Sequence, residues 1–108
     1  MIIVIAKYLI PKGFSGFTVF PFVILANQHD RCNKVLLDHE RIHLRQQAEL
    51  LVLPFFVWYG IEYLFRLAQS GDRHEAYKNI GFEKEAYANE GNPGYLVSRP
   101  FLGFCNYL

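Results

Sequence analysis

Residues 34–53 read KVLLDHERIHLRQQAELLVL, a run in helical pattern that follows the polar stretch NQHDRCN (27–33) and is interrupted at Pro54. Inside it, His39-Glu40-Arg41-Ile42-His43 is H-E-x-x-H. At 3.6 residues per turn the two histidines stand one above the other, so their imidazoles can converge on one metal ion while Glu40 projects beside them. Around the helix, Leu37, Leu44, Ala48 and Leu51 form an apolar stripe, and Asp38, Arg41, Arg45 and Glu49 form a charged one. The histidines lie on neither stripe. They share the remaining face with Leu36, Ile42, Gln46 and Leu50, so the helix is expected to pack its apolar side on a core and turn the histidines toward a semi-apolar cleft.

Two neutral imidazoles leave Zn²⁺ electrophilic, and a neighbouring carboxylate can take a proton from water as that water attacks a carbonyl. On this reading Glu40 is a general base and not a ligand. A zinc site of this kind needs a third protein ligand, and the downstream candidates are His74, Glu75, Glu83, Glu85 and Glu90. On a helical wheel Glu83 shares its face with Ala76, Asn79, Ile80, Tyr87 and Glu90, whereas Glu85 points almost the other way with Lys78, Gly81 and Asn89. Glu83 is therefore preferred. Helix lengths allow it: at about 1.5 Å per residue, His43 lies about 13 Å below the end of its helix, the next helix descends about 22 Å, and Glu83 climbs back about 13 Å. Tyr87, one turn beyond Glu83, reads as core that could also polarise a carbonyl. His29 and His74 read as surface residues, and Arg99 as an ion-pair partner.

The rest of the chain is organised around this helix. Residues 55–69 form a second helix, apolar on nearly every side apart from Glu62 and Arg66, which sit four apart as a favourable pair. Such a helix is expected to be buried all round. Its uncharged stretch, residues 50–61, is only 12 residues, short of the roughly 20 that span a bilayer, which leaves membrane association through 48–68 as the alternative. SGDR (70–73) breaks the pattern, a third helix covers 74–90, and Gly91, Asn92, Pro93 and Gly94 stop it. The tail, 91–108, is aromatic enough to fold back on the body. Residues 1–25 are β-rich: IIVIAKYLI and FTVFPFVIL are two strand-like runs, separated by PKGFSG with its Pro11, Gly13 and Gly16, and read as a hairpin or two neighbouring strands. Pro21 cannot donate to a ladder, so the second run should be an edge or bulge there.

Composition narrows the classes further. The 108 residues are 52% hydrophobic and 17% aromatic with a formal net charge of +1 and a mean hydropathy of +0.08, which fits one globular domain over 1–108 and excludes disorder. No basic cluster is present, so nucleic acid is not an expected partner. Cys32 and Cys105 lack C-x-x-C spacing and read as free thiols. The N-terminus lacks a basic region ahead of its apolar run and carries Lys7 within it, which fits a secretory signal poorly and points to the cytoplasm.

HERIH (39–43) and FEKEAYANE (82–90), with FTVFPFVIL in the place of an edge strand, resemble the gluzincin metallopeptidases, and in size the minigluzincins, which look like stripped cores of the membrane-associated HtpX-like and CAAX-prenyl proteases. HERIH followed by LRQQ also resembles the H-E-x-x-H-x-x-Q-Q pattern of a bacterial family of peptidases, and the HERIHLRQQ and FEKEAYANE blocks together resemble those of small bacterial proteins. The resemblance implies zinc held by His39, His43 and Glu83, with Glu40 as base. The family pattern continues E-x-x-A-D, whereas Tyr87 follows Ala86 here, so the histidines must be oriented by other residues. In the minigluzincins the C-terminal segment can lie in the cleft, and residues 101–108 would do so here. The expectation is an α+β, zincin-like minimal domain, a small N-terminal sheet packed on about three helices, acting as a zinc metallopeptidase on a peptide or protein substrate. The alternative is a non-catalytic or latent zinc-binding interaction protein, associated with membrane.

Overall fold

Three short strands and five helices follow from local chemistry that the chain states in sequence order. In a computed structural model that describes residues 1–10, 14–92 and 94–108, they are β1 (Ile2–Ile5), β2 (Gly16–Val19), β3 (Phe22–Leu25), α1 (Lys34–Leu50), α2 (Val52–Ser70), α3 (Arg73–Lys78), α4 (Gly81–Asn89) and α5 (Tyr95–Ser98). Pro11, Gly13 and Pro93, read as breaks, lie outside the described residues. The fold is α+β, with the sheet at the N-terminus.

The sheet order is β1-β3-β2, with β3 central, parallel to β1 and antiparallel to β2. FTVFPFVIL is thus two strands and not one. Phe20 and Pro21 form the turn between them, where proline's missing N–H costs no ladder bond, and the Phe20–Pro21 peptide is cis. The hairpin is β2–β3, and only the first half of that run is an edge.

Asn33 caps α1 by accepting the Leu36 N–H at 3.1 Å, Asp72 caps α3 by accepting from His74 and Glu75, and Gly71 closes α2 with φ of 71°. The break between α1 and α2 falls at Leu51, at φ 66° and ψ 157°, and the two helices meet at 111°. Pro54 lies inside the first turn of α2, where no intrahelical N–H is needed, so it marks the start of α2 and not the end of α1.

The expected helix over 74–90 is two helices. Ile80 is extended, and the Gly81 N–H donates to the Glu62 carboxylate at 3.0 Å. Residues two apart on a helix face opposite ways. The break lets Ile80 and Phe82, both fully buried, enter one core with Phe55 and Phe104. Ring centroids there are 4.4 Å apart for Phe55–Phe82 and 4.5 Å for Phe82–Phe104, and each buried Phe contributes about 1.5–3 kcal/mol. Phe104 is how the tail folds back.

Two faces differ from the expectation. The buried side of α1 is its polar one, carrying His39, Glu40, His43, Gln46 and Gln47 with Ile42, whereas Leu37 and Leu44 are half-buried and Ala48 and Leu51 exposed. These polar groups find partners in β2 and α4, which makes their burial affordable. α2 is not buried all round: among its residues only Phe55 and Glu62 are fully buried, because a chain this short has too few elements to cover both sides. No single described helix is long and apolar enough to cross a membrane.

Candidate metal centre

α1 holds the two histidines one turn apart, and α4 crosses it with Glu83. His39 Nε2 and His43 Nε2 are 3.2 Å apart, and Glu83 Oε1 lies 3.2 Å from the first and 3.0 Å from the second. A tetrahedral zinc with bonds of about 2.0–2.1 Å requires donors about 3.3 Å apart. All three residues are buried, and among the described residues they form the one such cluster. The donor set therefore fits a zinc ion in chemistry and in spacing.

Each member is held by its other polar atom. His39 Nδ1 lies 2.8 Å from Glu90 Oε2, His43 Nδ1 lies 2.8 Å from Gln46 Oε1, and the Tyr59 hydroxyl donates to Glu83 Oε2 at 2.7 Å. Partners on Nδ1 leave Nε2 as the atom that faces inward. His39 is thus oriented by Glu90 and His43 by Gln46. Tyr87 stands against the His39 ring, with centroids 4.5 Å apart, and its hydroxyl pairs with that of Tyr77 at 2.9 Å.

Without a metal the cluster is an ion pair. Burial opposes a charge on His43, but the charge and hydrogen bond of Glu83, followed by Glu40 and Gln46, outweigh it and raise its pKa from 6.5 to about 9. Burial alone would raise Glu83, but the His43 charge and the hydrogen bonds from His39 and His43 hold it well below the usual carboxylate range.

Glu40 is not part of the triad. It is buried between α1 and β2, where the Thr18 hydroxyl donates to its Oε2 and to its backbone carbonyl, the latter at 3.5 Å. Gly16 lies so close that a Cβ there would stand 3.0 Å from Glu40 Oε1. A cavity of about 310 Å³ opens over Glu40 and the triad, walled by Phe14, Phe17 and Thr18 on one side and by Phe55, Phe56 and Tyr59 on the other. Among the described residues its tyrosines are Tyr59 and Tyr77, so the position expected of Tyr87 belongs to Tyr77.

β2 presents its outer edge to this cavity. The Ala26 N–H donates to the Ser15 carbonyl, which fixes the phase of the hairpin: Ser15, Phe17 and Val19 bond toward β3, and Gly16 and Thr18 turn outward. Gln47 covers part of that edge. Its Nε2 donates to the Thr18 carbonyl at 2.8 Å and its Oε1 accepts the Phe20 N–H at 2.7 Å.

The remaining candidates lie elsewhere. His74 and Glu75 are exposed at the start of α3, and His29 is exposed. Glu85 is fully buried and turned away from the triad, where it accepts from Arg99 and from the Tyr95 hydroxyl at 2.6 Å. Gln46 joins the two regions: its Nε2 donates to Glu85 at 2.8 Å while its Oε1 faces His43. Arg99 also reaches Glu49 at 2.7 Å. The tail thus meets the site from behind, and among the described residues 94–108 none lines the cavity, contrary to the expectation that 101–108 occupies it. Cys32 and Cys105 are free and exposed.

Gln46, Tyr59, Thr18 and the pairing role of Glu90 escaped the sequence reading. The spacing of Gln46 three residues after His43, and of Glu90 two turns after Glu83, was a usable signal for two of them. Comparison with protein-family models, with curated proteins and with solved structures finds no match.

Proposed function

We propose that this chain is a gluzincin-like zinc metallopeptidase, with zinc held by His39, His43 and Glu83. The observation that carries the reading is the convergence of three buried donors at 3.0–3.2 Å, each oriented by a partner on its far atom, beside a carboxylate that shares their cavity. Zinc in such a site supplies a Lewis acid that polarises a carbonyl and makes water more acidic.

The chain's own residues supply the rest. Glu40, steadied by Thr18, takes the proton of the attacking water and returns it to the leaving amine. The outward Gly16 N–H and carbonyl and the Thr18 N–H offer an extended peptide an edge to pair with, the Thr18 carbonyl being taken by Gln47, and the phenylalanines exclude water around it. Tyr77 stands in the cavity as a hydroxyl donor for the developing oxyanion.

Protein purified without added zinc tests this. Near one zinc per chain in wild type, lost in His39→Ala and kept in Glu40→Gln, supports the site, and peptidase activity lost in Glu40→Gln with metal retained supports the enzyme. Wild type free of metal would overturn the reading. A non-catalytic zinc-binding interaction protein is the second reading, favoured by the exposed side of α2, and it predicts zinc in both proteins with turnover in neither.

A further inference from the structure

The side of α2 turned away from the cavity is bare. Leu53 is 73% exposed, Val57 53%, Ile61 65%, Leu64 63% and Phe65 56%. With Pro54, Trp58, Gly60 and Ala68 they form an apolar face about 22 Å long, at 1.5 Å per residue, with the buried Glu62 at its edge as the one charged side chain lining its groove. Weighting each exposure by a full residue area of about 150–250 Å² gives roughly 700 Å² of apolar surface. The largest patch on a typical monomer is about 300–600 Å². One partner's share of a standard protein interface is about 800 Å².

We propose that α2 is a dimer interface, in which two copies of this chain pair their α2 helices antiparallel about a two-fold axis at Ile61. The spacing of the face is symmetric about that residue. Pro54 and Ala68 lie seven positions either side of it, Val57 and Phe65 four, Trp58 and Leu64 three. A two-fold at Ile61 therefore sets each of these opposite its mirror position on the other copy, apolar on apolar over positions 54–68, while at the margins Leu53 meets Gln69 and Gly60 meets Glu62. Gly60 beside the axis has nothing within 4 Å of where a Cβ would stand, which leaves room for a second helix to approach closely.

Charge placement favours a second copy over lipid. Glu62 lines the edge of the groove, nine-tenths buried, with its carboxylate turned inward, where Oε2 accepts the Gly81 N–H at 3.0 Å. A carboxylate at the edge of a hydrocarbon-covered face is costly. A helix lying on a bilayer also carries flanking Lys or Arg. The one cation on α2, Arg66, is held against Glu62 at 3.5 Å. Phe55, Phe56 and Tyr59 line the cavity from the opposite side of α2, so the dimer leaves the metal centre open.

Sedimentation equilibrium of the full chain at tens of micromolar tests this. Wild type is expected at twice the 12.6 kDa chain mass. Ile61→Lys and Ile61→Glu are each expected at the single-chain mass with unchanged far-UV circular dichroism, and their equimolar mixture at the dimer mass, because Ile61 faces Ile61. If either fails to fold, Val57→Lys as a monomer and Val57→Lys with Phe65→Glu as a restored dimer carry the same test. A monomeric wild type, variants that stay dimeric, or a mixture that stays monomeric overturns the proposal. A monomer that floats with phosphatidylcholine vesicles overturns it in favour of lipid.

Discussion

His43 Nδ1 meets Gln46 Oε1 at 2.8 Å, and the orientation of that amide is fixed by its other end, where Nε2 donates to Glu85 and to the Phe82 carbonyl. Gln46 can therefore only accept from His43, which assigns the proton to Nδ1 and the lone pair to Nε2 in the neutral ring. Gln46→Leu removes this constraint at nearly constant volume. Zinc affinity, measured by competition with a chromogenic chelator, should fall about 10–100-fold while the fold is retained. An unchanged affinity would show that α1 alone orients the ring.

Zinc binding should release protons. His43, raised to about 9, carries its proton at neutral pH in the metal-free protein and must lose it to become a ligand. Calorimetric zinc titrations in buffers of different ionisation enthalpy should show the His43 proton released at pH 7, a contribution that disappears above pH 10 and is absent in His43→Gln.

The same group gives the metal-free protein a pH-dependent stability. Its folded pKa of about 9 exceeds the ordinary 6.5, so its contribution is complete below about pH 6.5 and is lost as pH rises through 9. The loss is on the order of 3 kcal/mol. Urea midpoints of the metal-free protein should decline across that window, and His43→Gln should remove the decline.

Gly16→Ala tests the contact between β2 and Glu40. The new methyl would stand 3.0 Å from Glu40 Oε1 and 3.3 Å from its Cδ, so the carboxylate must shift by a few tenths of an ångström. Zinc content should be unchanged and kcat should fall about tenfold or more, since displacement of a catalytic group by less than 1 Å is costly. Full activity would remove Glu40 from the reaction or show the site to be more compliant than its packing suggests.

Arg99 and Arg41 should separate sharply. The Arg99 and Glu85 side chains are both fully buried, so Arg99→Met strands a carboxylate and should cost about 3–5 kcal/mol in urea unfolding. Arg41 pairs with Asp38 at 3.6 Å on the surface, and Arg41→Met should cost about 1 kcal/mol or less.

How much of this was legible differs from element to element. His39, His43 and Glu83 could be brought together on paper because helical spacing is rigid, and the same wheel sent Glu85 the other way, where the structure pairs it with Arg99, a partner the wheel does not name. The burial of α1 was read in reverse. A hydrophobic-stripe argument assumes that apolar residues define the inside, but Gln46, Gln47 and Glu40 are buried by partners far along the chain, and no local pattern announces such partners. The split at Ile80 was hidden by good helix formers on both sides of it, and it depends on the distant Glu62 carboxylate. The parallel pairing of β1 with β3 is likewise a long-range choice, whereas the period of two in each strand reports only its faces.

Leu51 has a mechanical consequence. It is the sole residue between the helix that floors the cavity and the helix that supplies one wall, and it stands at φ 66° where a side chain is strained. Rotation there would swing Phe55 and Phe56 away from Phe17, and it would carry Tyr59 away from Glu83 in the same stroke. The aperture of the cleft and the aim of the third donor are therefore one variable, adjusted at one backbone position outside both.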